Sequence, residues 1–309
     1  MRSIICLSFG LVLFPLGFFP TAKAEAPAAR ASAFRVDSGW PKPGHPIVFG
    51  PVSAVATDKA DRVFVFHRGP HPVAIFEREG RYLGAWNNAE IKKPHGFRID
   101  AEGNAWITDI GDHTVKKFTL DGKRLLSIGT PGKSGGGPDH FNQPTDVAVH
   151  PTTGEVFVSD GYGNARVIVF SKDGKYLREW GTRGTRAGEF HLPHAILFDR
   201  DGRLLVGDRE NNRIQVFDTQ GKHLETWTES GAPYGLSLGG DGSILVADGR
   251  ANQVIQLDSG GKRLAAWGRK GTRAGEFDLP HTLCVDSHGD LYVTDINGKR
   301  IQKFHLDTE

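Results

Sequence analysis

The sequence predicts an all-β fold, a six-bladed β-propeller closed by an N-terminal outer strand, and three observations carry that prediction. The first is the stretch 192–217, LPHAILFDRDGRLLVGDRENNRIQVF, whose apolar runs at 195–198, 204–206 and 214–217 are separated by Asp199-Arg200-Asp201-Gly202 and Glu210-Asn211-Asn212. Apolar runs cut by such turn residues read as short antiparallel strands. A fourth run, GKHLETW from Gly221, alternates polar and apolar side chains as a half-solvated outer strand does. Four strands in about forty residues make one propeller blade.

The second observation is repetition. Strings of the same form start at Val63, Ala105, Val156, Leu204, Ile244 and Leu291 (VFVFHRGPHPVAIF, AWITDIGDHTVKKF, VFVSDGYGNARVIVF, LLVGDRENNRIQVF, ILVADGRANQVIQL, LYVTDINGKRIQKF), which makes six units. Outer-strand copies follow five of them: RYLGAW, KRLLSI, KYLREW, KHLETW and KRLAAW. The third observation concerns the sixth unit, whose outer strand is missing, while FRVDSGW at 34–40 has the missing pattern. Closure of the ring by that N-terminal strand hides the edges an open array leaves unpaired.

Ahead of the propeller, 1–24 has a basic start at Arg2, an apolar stretch over 4–19 broken by Pro15 and Gly17, and a small-residue end, Ala22-Lys23-Ala24. This reads as a secretory signal peptide cut before Glu25, since the run is short and interrupted for a membrane anchor. The expectation is a secreted or periplasmic protein with no stable membrane insertion after cleavage, a loose Ala-rich leader at 25–32 and one propeller over 33–309. Net charge is +2 with Lys and Arg scattered over the outer strands, so nucleic acid is not an expected partner. A monomer is expected. Past the cut only Cys284 remains, on an innermost strand where a buried, inert thiol is the natural reading.

The chemistry lies at the start of each first strand. Aligned, these read Val52-Ser53-Ala54-Val55, Pro94-His95-Gly96-Phe97, Pro144-Thr145-Asp146-Val147, Pro193-His194-Ala195-Ile196, Pro233-Tyr234-Gly235-Leu236 and Pro280-His281-Thr282-Leu283. First strands line the channel of a propeller, so the second positions of blades 2, 4 and 6 put His95, His194 and His281 at one depth around the axis. Three imidazoles with a fourth position open are the ligand set of a catalytic zinc. A strand-end histidine making a local hydrogen bond is the plain alternative for each one taken singly. Arg68, Tyr162 and Arg209 follow the second strands of blades 1, 3 and 4, in loops that open on the same face. Arginine suits a substrate carboxylate, and a phenol beside a cation and a metal loses its proton more readily than a free one. A turn-stabilising salt bridge is the competing reading for each arginine.

These strings, FHRGPH, PHGFRID, FNQPTDVAVHPTTGEVFVSDGYGNARV, LPHAILF with GDRENNRIQ, and DLPHTL, make the chain from about Val52 to Phe304 similar to the NHL-repeat propeller of the peptidyl-α-hydroxyglycine α-amidating lyases. The resemblance implies a zinc-dependent lyase that cleaves the N–Cα bond of a carbinolamide to an amide and glyoxylate. It implies zinc on His95, His194 and His281, Tyr162 as general base, and Arg68 and Arg209 in the active site. The substrate is then a small molecule or peptide with a free carboxylate. A structural calcium of the animal enzymes would take the backbone carbonyls of Val55 and Phe97 and a carboxylate after the third histidine. That last position is Thr282 here, and a hydroxyl does not replace a charged ligand for a hard cation. The positions matching the animal disulfides hold Asn142 with Gly163 and Leu205 with Val216. Two other readings stay open: a non-catalytic NHL propeller binding a protein or cell-envelope ligand, and a metal-dependent hydrolase or lactonase. Fold alone does not choose between them.

Overall fold

Short β-rich runs with glycine turns cannot bury both faces within one sheet, so each blade must pack on the next. The computed structural model describes residues 33–87 and 90–307; the expected signal peptide and leader lie outside the described residues. Six four-stranded antiparallel sheets make the propeller. From the channel outward, blade 4 is Pro193–Phe198, Leu204–Asp208, Arg213–Phe217 and His223–Trp227, and blades 1, 2, 3 and 5 repeat that order. Blade 6 takes its inner three strands, Pro280–Val285, Leu291–Asp295 and Arg300–Asp307, from the far end of the sequence. Its outer strand is Ala33–Asp37, with Ala33 opposite Asp307 and Asp37 opposite Lys303. The closing strand is shorter than the FRVDSGW string because Ser38 and Gly39 turn away and deliver Trp40 to the core between blades 6 and 1. Among the described residues, no helix is long and apolar enough to cross a membrane.

The apolar interior is divided into six clusters, each lying between two neighbouring blades. Phe64, Phe66, Trp86, Phe97, Ile107 and Phe118 fill the seam between blades 1 and 2, for example. Each fully buried side chain of this size contributes about 1.5–3 kcal/mol, so the ring is held by seams rather than by one central core. The tryptophans that end outer strands seal them. Gly261 has φ +84°, and a Cβ on it would stand 2.1 Å from the Trp227 ring; Gly122 and Gly221 press on Trp86 and Trp180 in the same way. The turn therefore needs glycine both for its left-handed backbone and for the close approach. Cys284 is buried in the seam between blades 6 and 1, where burial pushes its thiol above the ordinary value.

The closing strand is fastened on its outer side by Phe34, stacked on Trp267 of blade 5 with ring centroids 5.1 Å apart. Phe34→Ala is expected to cost about 1–2 kcal/mol through lost burial and stacking. Removing 33–37 altogether is expected to lower the unfolding midpoint further and to produce oligomers, because it bares the edge of Arg300–Asp307. Thermal unfolding and size-exclusion chromatography read both effects.

Candidate metal centre

The histidine position of each blade falls on an irregularity. Pairing of the first and second strands shifts register between Pro94 and Phe97, between Pro193 and Ala195, and between Pro280 and Leu283. A residue left out of the ladder is free to point elsewhere, and a bulge re-aims it; His95, His194 and His281 are the residues so released, and they turn into the channel. The segment ahead of each is clamped by a buried aspartate at the end of the second strand. Asp109 accepts the backbone N–H of Lys92 and Lys93 (2.8 Å each), Asp208 that of His191 (2.8 Å), and Asp295 that of Asp278 (3.0 Å). A cation on the third strand compensates each carboxylate: Lys116, Arg213 or Arg300, at 3.0, 2.8 and 3.1 Å.

The three rings meet with centroids 4.8, 4.9 and 5.1 Å apart. Each donates its Nδ1–H to the carbonyl at the second motif position of the next blade: His95 to Thr145 (2.6 Å), His194 to Tyr234 (2.7 Å) and His281 to Ser53 (2.6 Å). A carbonyl only accepts, so Nδ1 carries the proton and the Nε2 lone pairs are left to converge. Burial holds all three imidazoles well below the ordinary 6.5, His281 down to about 3, and their mutual repulsion adds to the effect for His95 and His194. Their ligand atoms lie within 4.8 Å of one another. Neutral imidazole nitrogens oriented by these carbonyls and facing each other form a donor set that fits a borderline divalent ion such as zinc.

Tyr162 reaches this set. Its hydroxyl lies 3.0 Å from His95 Nε2 and 3.2 Å from His194 Nε2, and donates to one of them at a time. The preceding Gly161 allows the approach, since a Cβ there would stand 1.9 Å from the carbonyl of Pro193. Burial raises the phenol above its ordinary value, with Arg209 and then Arg68 pulling against it. Desolvation therefore outweighs the activation that the neighbouring cations give the phenol. Arg209 lies over two rings, its Cζ 4.5 Å from the centroid of Tyr234 and 5.6 Å from that of Tyr162. It also pairs with Glu210 at 2.9 Å, so the salt-bridge alternative and the inward-leaning one are both present. Arg68 donates from Nε to the carbonyl of Pro94 (3.0 Å), and among the described residues no carboxylate lies within ion-pair distance of it. Val55 and Phe97 are buried on first strands, and the Thr282 hydroxyl is 3.2 Å from both Ser53 O and the Thr294 hydroxyl.

Sequence reasoning missed Tyr234, which borders His194 at 5.2 Å and His281 at 6.0 Å between centroids; its place at the second motif position was the available signal. It also missed the clamping aspartates and His67. In blade 1 the aspartate position is His67, whose Nδ1 accepts the backbone N–H of Gly69 (3.1 Å) and Gly50 (3.3 Å). That duty requires a neutral ring, and burial lowers its pKa to about 4. Thr145 differs from the alignment, since the first strand of blade 3 begins only at Asp146, although the Thr145 N–H still bonds Ser159 O.

Two family patterns match: "6-bladed beta-propeller" over 140–228 and "NHL repeat" over 277–304. Mouse NHL repeat-containing protein 3 is 36% identical over 88% of this chain and 84% of its own length. The chain belongs to this NHL-repeat propeller family. The peptidyl-α-hydroxyglycine α-amidating lyases are relatives within it. Drosophila melanogaster lyase 2 is 34% identical over 61% of this chain and 52% of its own. Rat peptidylglycine alpha-amidating monooxygenase is 34% identical over 88% of this chain, which spans 32% of that protein's length. Among solved structures, a Bacteroides thetaiotaomicron protein of unknown function superposes with a TM-score of 0.69 at 15% identity, covering 90% of this chain and 77% of that one, a likeness of fold.

Four buried imidazoles set the acid response of the NHL-repeat propeller. His67, His95, His194 and His281 have folded pKa values below the ordinary 6.5, so below that pH the unfolded chain binds more protons than the folded one. Stability of metal-free protein should be full above about 6.5 and fall as pH drops, by up to roughly 1.4 kcal/mol per pH unit per histidine. The loss from His67 continues to about 4 and that from His281 to about 3. Urea unfolding at neutral pH and about two units lower checks this, and equal midpoints would contradict it.

Proposed function

We propose that the protein is a zinc-dependent lyase that cleaves the N–Cα bond of a peptidyl-α-hydroxyglycine-like carbinolamide to an amide and glyoxylate. The observation supporting it most is the 3.0 Å and 3.2 Å reach of the Tyr162 hydroxyl to two converging imidazoles, beside two arginines. His95, His194 and His281 would hold the ion through Nε2. When bound, it would supply a Lewis acid and a positive charge that favours the phenolate of Tyr162. Arg68, free of a carboxylate partner among the described residues, takes the substrate carboxylate, and Arg209 supports it from its seat over Tyr234. Tyr162 accepts the hydroxyl proton; the O–H electron pair becomes the second C–O bond of glyoxylate as the C–N pair leaves on the amide nitrogen. The phenol then returns the proton to that nitrogen, so atoms and charge balance. We also infer export, on the signal-like segment 1–24, and action as a secreted or periplasmic monomer on a small or peptidic acid.

A binding propeller without catalysis is the second reading, favoured by a relative matched over 84% of its length whose name states the repeat and no reaction. Incubation of metal-replete protein with α-hydroxyhippurate separates the two: the lyase reading expects glyoxylate and benzamide, and no turnover sinks it. Equimolar zinc is expected in elemental analysis, and it should vanish in His194→Ala. Tyr162→Phe should keep the metal and lose about a hundredfold or more in kcat, the usual scale for a missing acid–base group. Arg209→Ala should raise KM for a free acid more than for its ester.

A further inference from the structure

One side chain bridges the channel deeper than the histidines. Arg98 follows His95 by three residues on the first strand of blade 2. Its Nε and Nη2 donate to the two oxygens of Asp146 in blade 3 at 3.2 and 2.6 Å. Nη1 and Nη2 both donate to the carbonyl of Leu236 in blade 5 at 3.2 Å. Blades 2 and 5 face each other across a six-membered ring, so the guanidinium lies in the channel between them. Asp146 is 5% exposed and Arg98 19%, and the carboxylate also accepts the N–H of Val147 (2.9 Å) and Ile196 (3.2 Å).

The register gives this ion pair its meaning. Leu236 is the fourth residue of its motif, equivalent to Val55 and Phe97, whose carbonyls the resemblance assigns to calcium. Asp146 is the third residue of its motif, equivalent to Thr282, where that calcium needs a carboxylate. The chain thus carries an acid at the required depth, but in blade 3, opposite blade 6, and already paired with a guanidinium. The Thr282 hydroxyl is engaged with Ser53 and Thr294. A calcium ion asks for several oxygens including carboxylates, and here N–H donors occupy the carboxylate and a fourth-position carbonyl. The residues present do not fit calcium.

We propose that Arg98 is the propeller's own axial cation, standing in for a structural calcium, and that with Asp146 it is a positioning pair for His95. The second part follows from connectivity. Arg98 leaves the strand that carries His95, and Asp146 adjoins Thr145, whose carbonyl accepts the His95 Nδ1–H. The salt bridge therefore ties together both ends of the hydrogen bond that orients the ring.

The axial-cation part does not depend on the lyase reading, whereas the positioning part rests on the zinc site of that reading; the first is tested by stability and calcium binding, the second by zinc affinity. Calcium chloride and a calcium chelator should leave the unfolding midpoint of the unaltered protein unchanged, and equilibrium dialysis should find no stoichiometric calcium. Arg98→Met, which keeps length and removes charge, should lower the midpoint by about 5–10 °C by stranding Asp146, and should weaken zinc affinity about tenfold or more. Arg98→Lys should recover part of both. The double variant Arg98→Ser, Thr282→Asp should gain a midpoint that rises with calcium. A calcium-dependent midpoint in the unaltered protein would overturn the proposal, as would Arg98→Met with native stability and zinc affinity. Should Arg98→Met not fold, the calcium titration of the unaltered protein and the Lys variant decide.

Discussion

Three hydrogen bonds between neighbouring blades tie the site to the ring that the apolar seams hold: His95 to Thr145, His194 to Tyr234 and His281 to Ser53. Each couples an even-numbered blade to the next odd-numbered one, and each fixes a tautomer by giving Nδ1–H an acceptor that cannot donate. The last spans the closure point, from blade 6 to blade 1. Closure therefore has an inner and an outer fastening. Ala33–Asp37 completes the sheet of blade 6 at the rim, while His281 and Ser53 join that blade to blade 1 at the channel. If the ring opened there, the third imidazole would lose its acceptor and the three-fold arrangement would lose one member.

Local structure supplies what those bonds need. Without the register shift at the start of the first strand, the histidine would stay in the ladder; without the clamping aspartate, the segment before the proline would carry unpaired backbone donors. Blade 1 shows which property matters. His67 does the aspartate's work as a neutral acceptor, so a buried lone pair at that position suffices where the blade contributes no histidine to the axis.

Much of this was legible in the sequence. Repeat strings revealed six blades and the displaced outer strand, and aligned Pro-His motifs placed three histidines at one depth, because both depend on periodicity alone. Contacts between blades were not legible. That Thr145, Tyr234 and Ser53 matter through their carbonyls depends on which strand lies beside which, and side-chain identity does not report it. Arg98 entered the sequence reading only as one letter of PHGFRID, and its role could not be read there, since its partners are 48 and 138 residues away. The Tyr162 phenol was read from its cationic neighbours, whereas its enclosure contributes more and raises its pKa.

Charge compensation around the axis then distinguishes the arginines. Arg98 is neutralised by Asp146 and Arg209 by Glu210, which Arg250 also joins. The clamping carboxylates are matched by their own third-strand cations. Arg68 is left with a carbonyl and no carboxylate among the described residues, and burial lowers its pKa because the charge is poorly solvated there. The imidazoles are neutral and Glu210 is shared by two arginines, so among the described residues the mouth of the channel carries an excess of positive charge, which the divalent ion of the proposed function would increase. A buried excess of one sign is costly until a counter-charge arrives. On the proposed function, an anionic substrate would supply it, with its carboxylate beside Arg68 and its reacting hydroxyl toward Tyr162. On that reading, a preference for a free acid over an ester or a neutral amide would follow from the site's unbalanced charge as well as from the fork of one guanidinium.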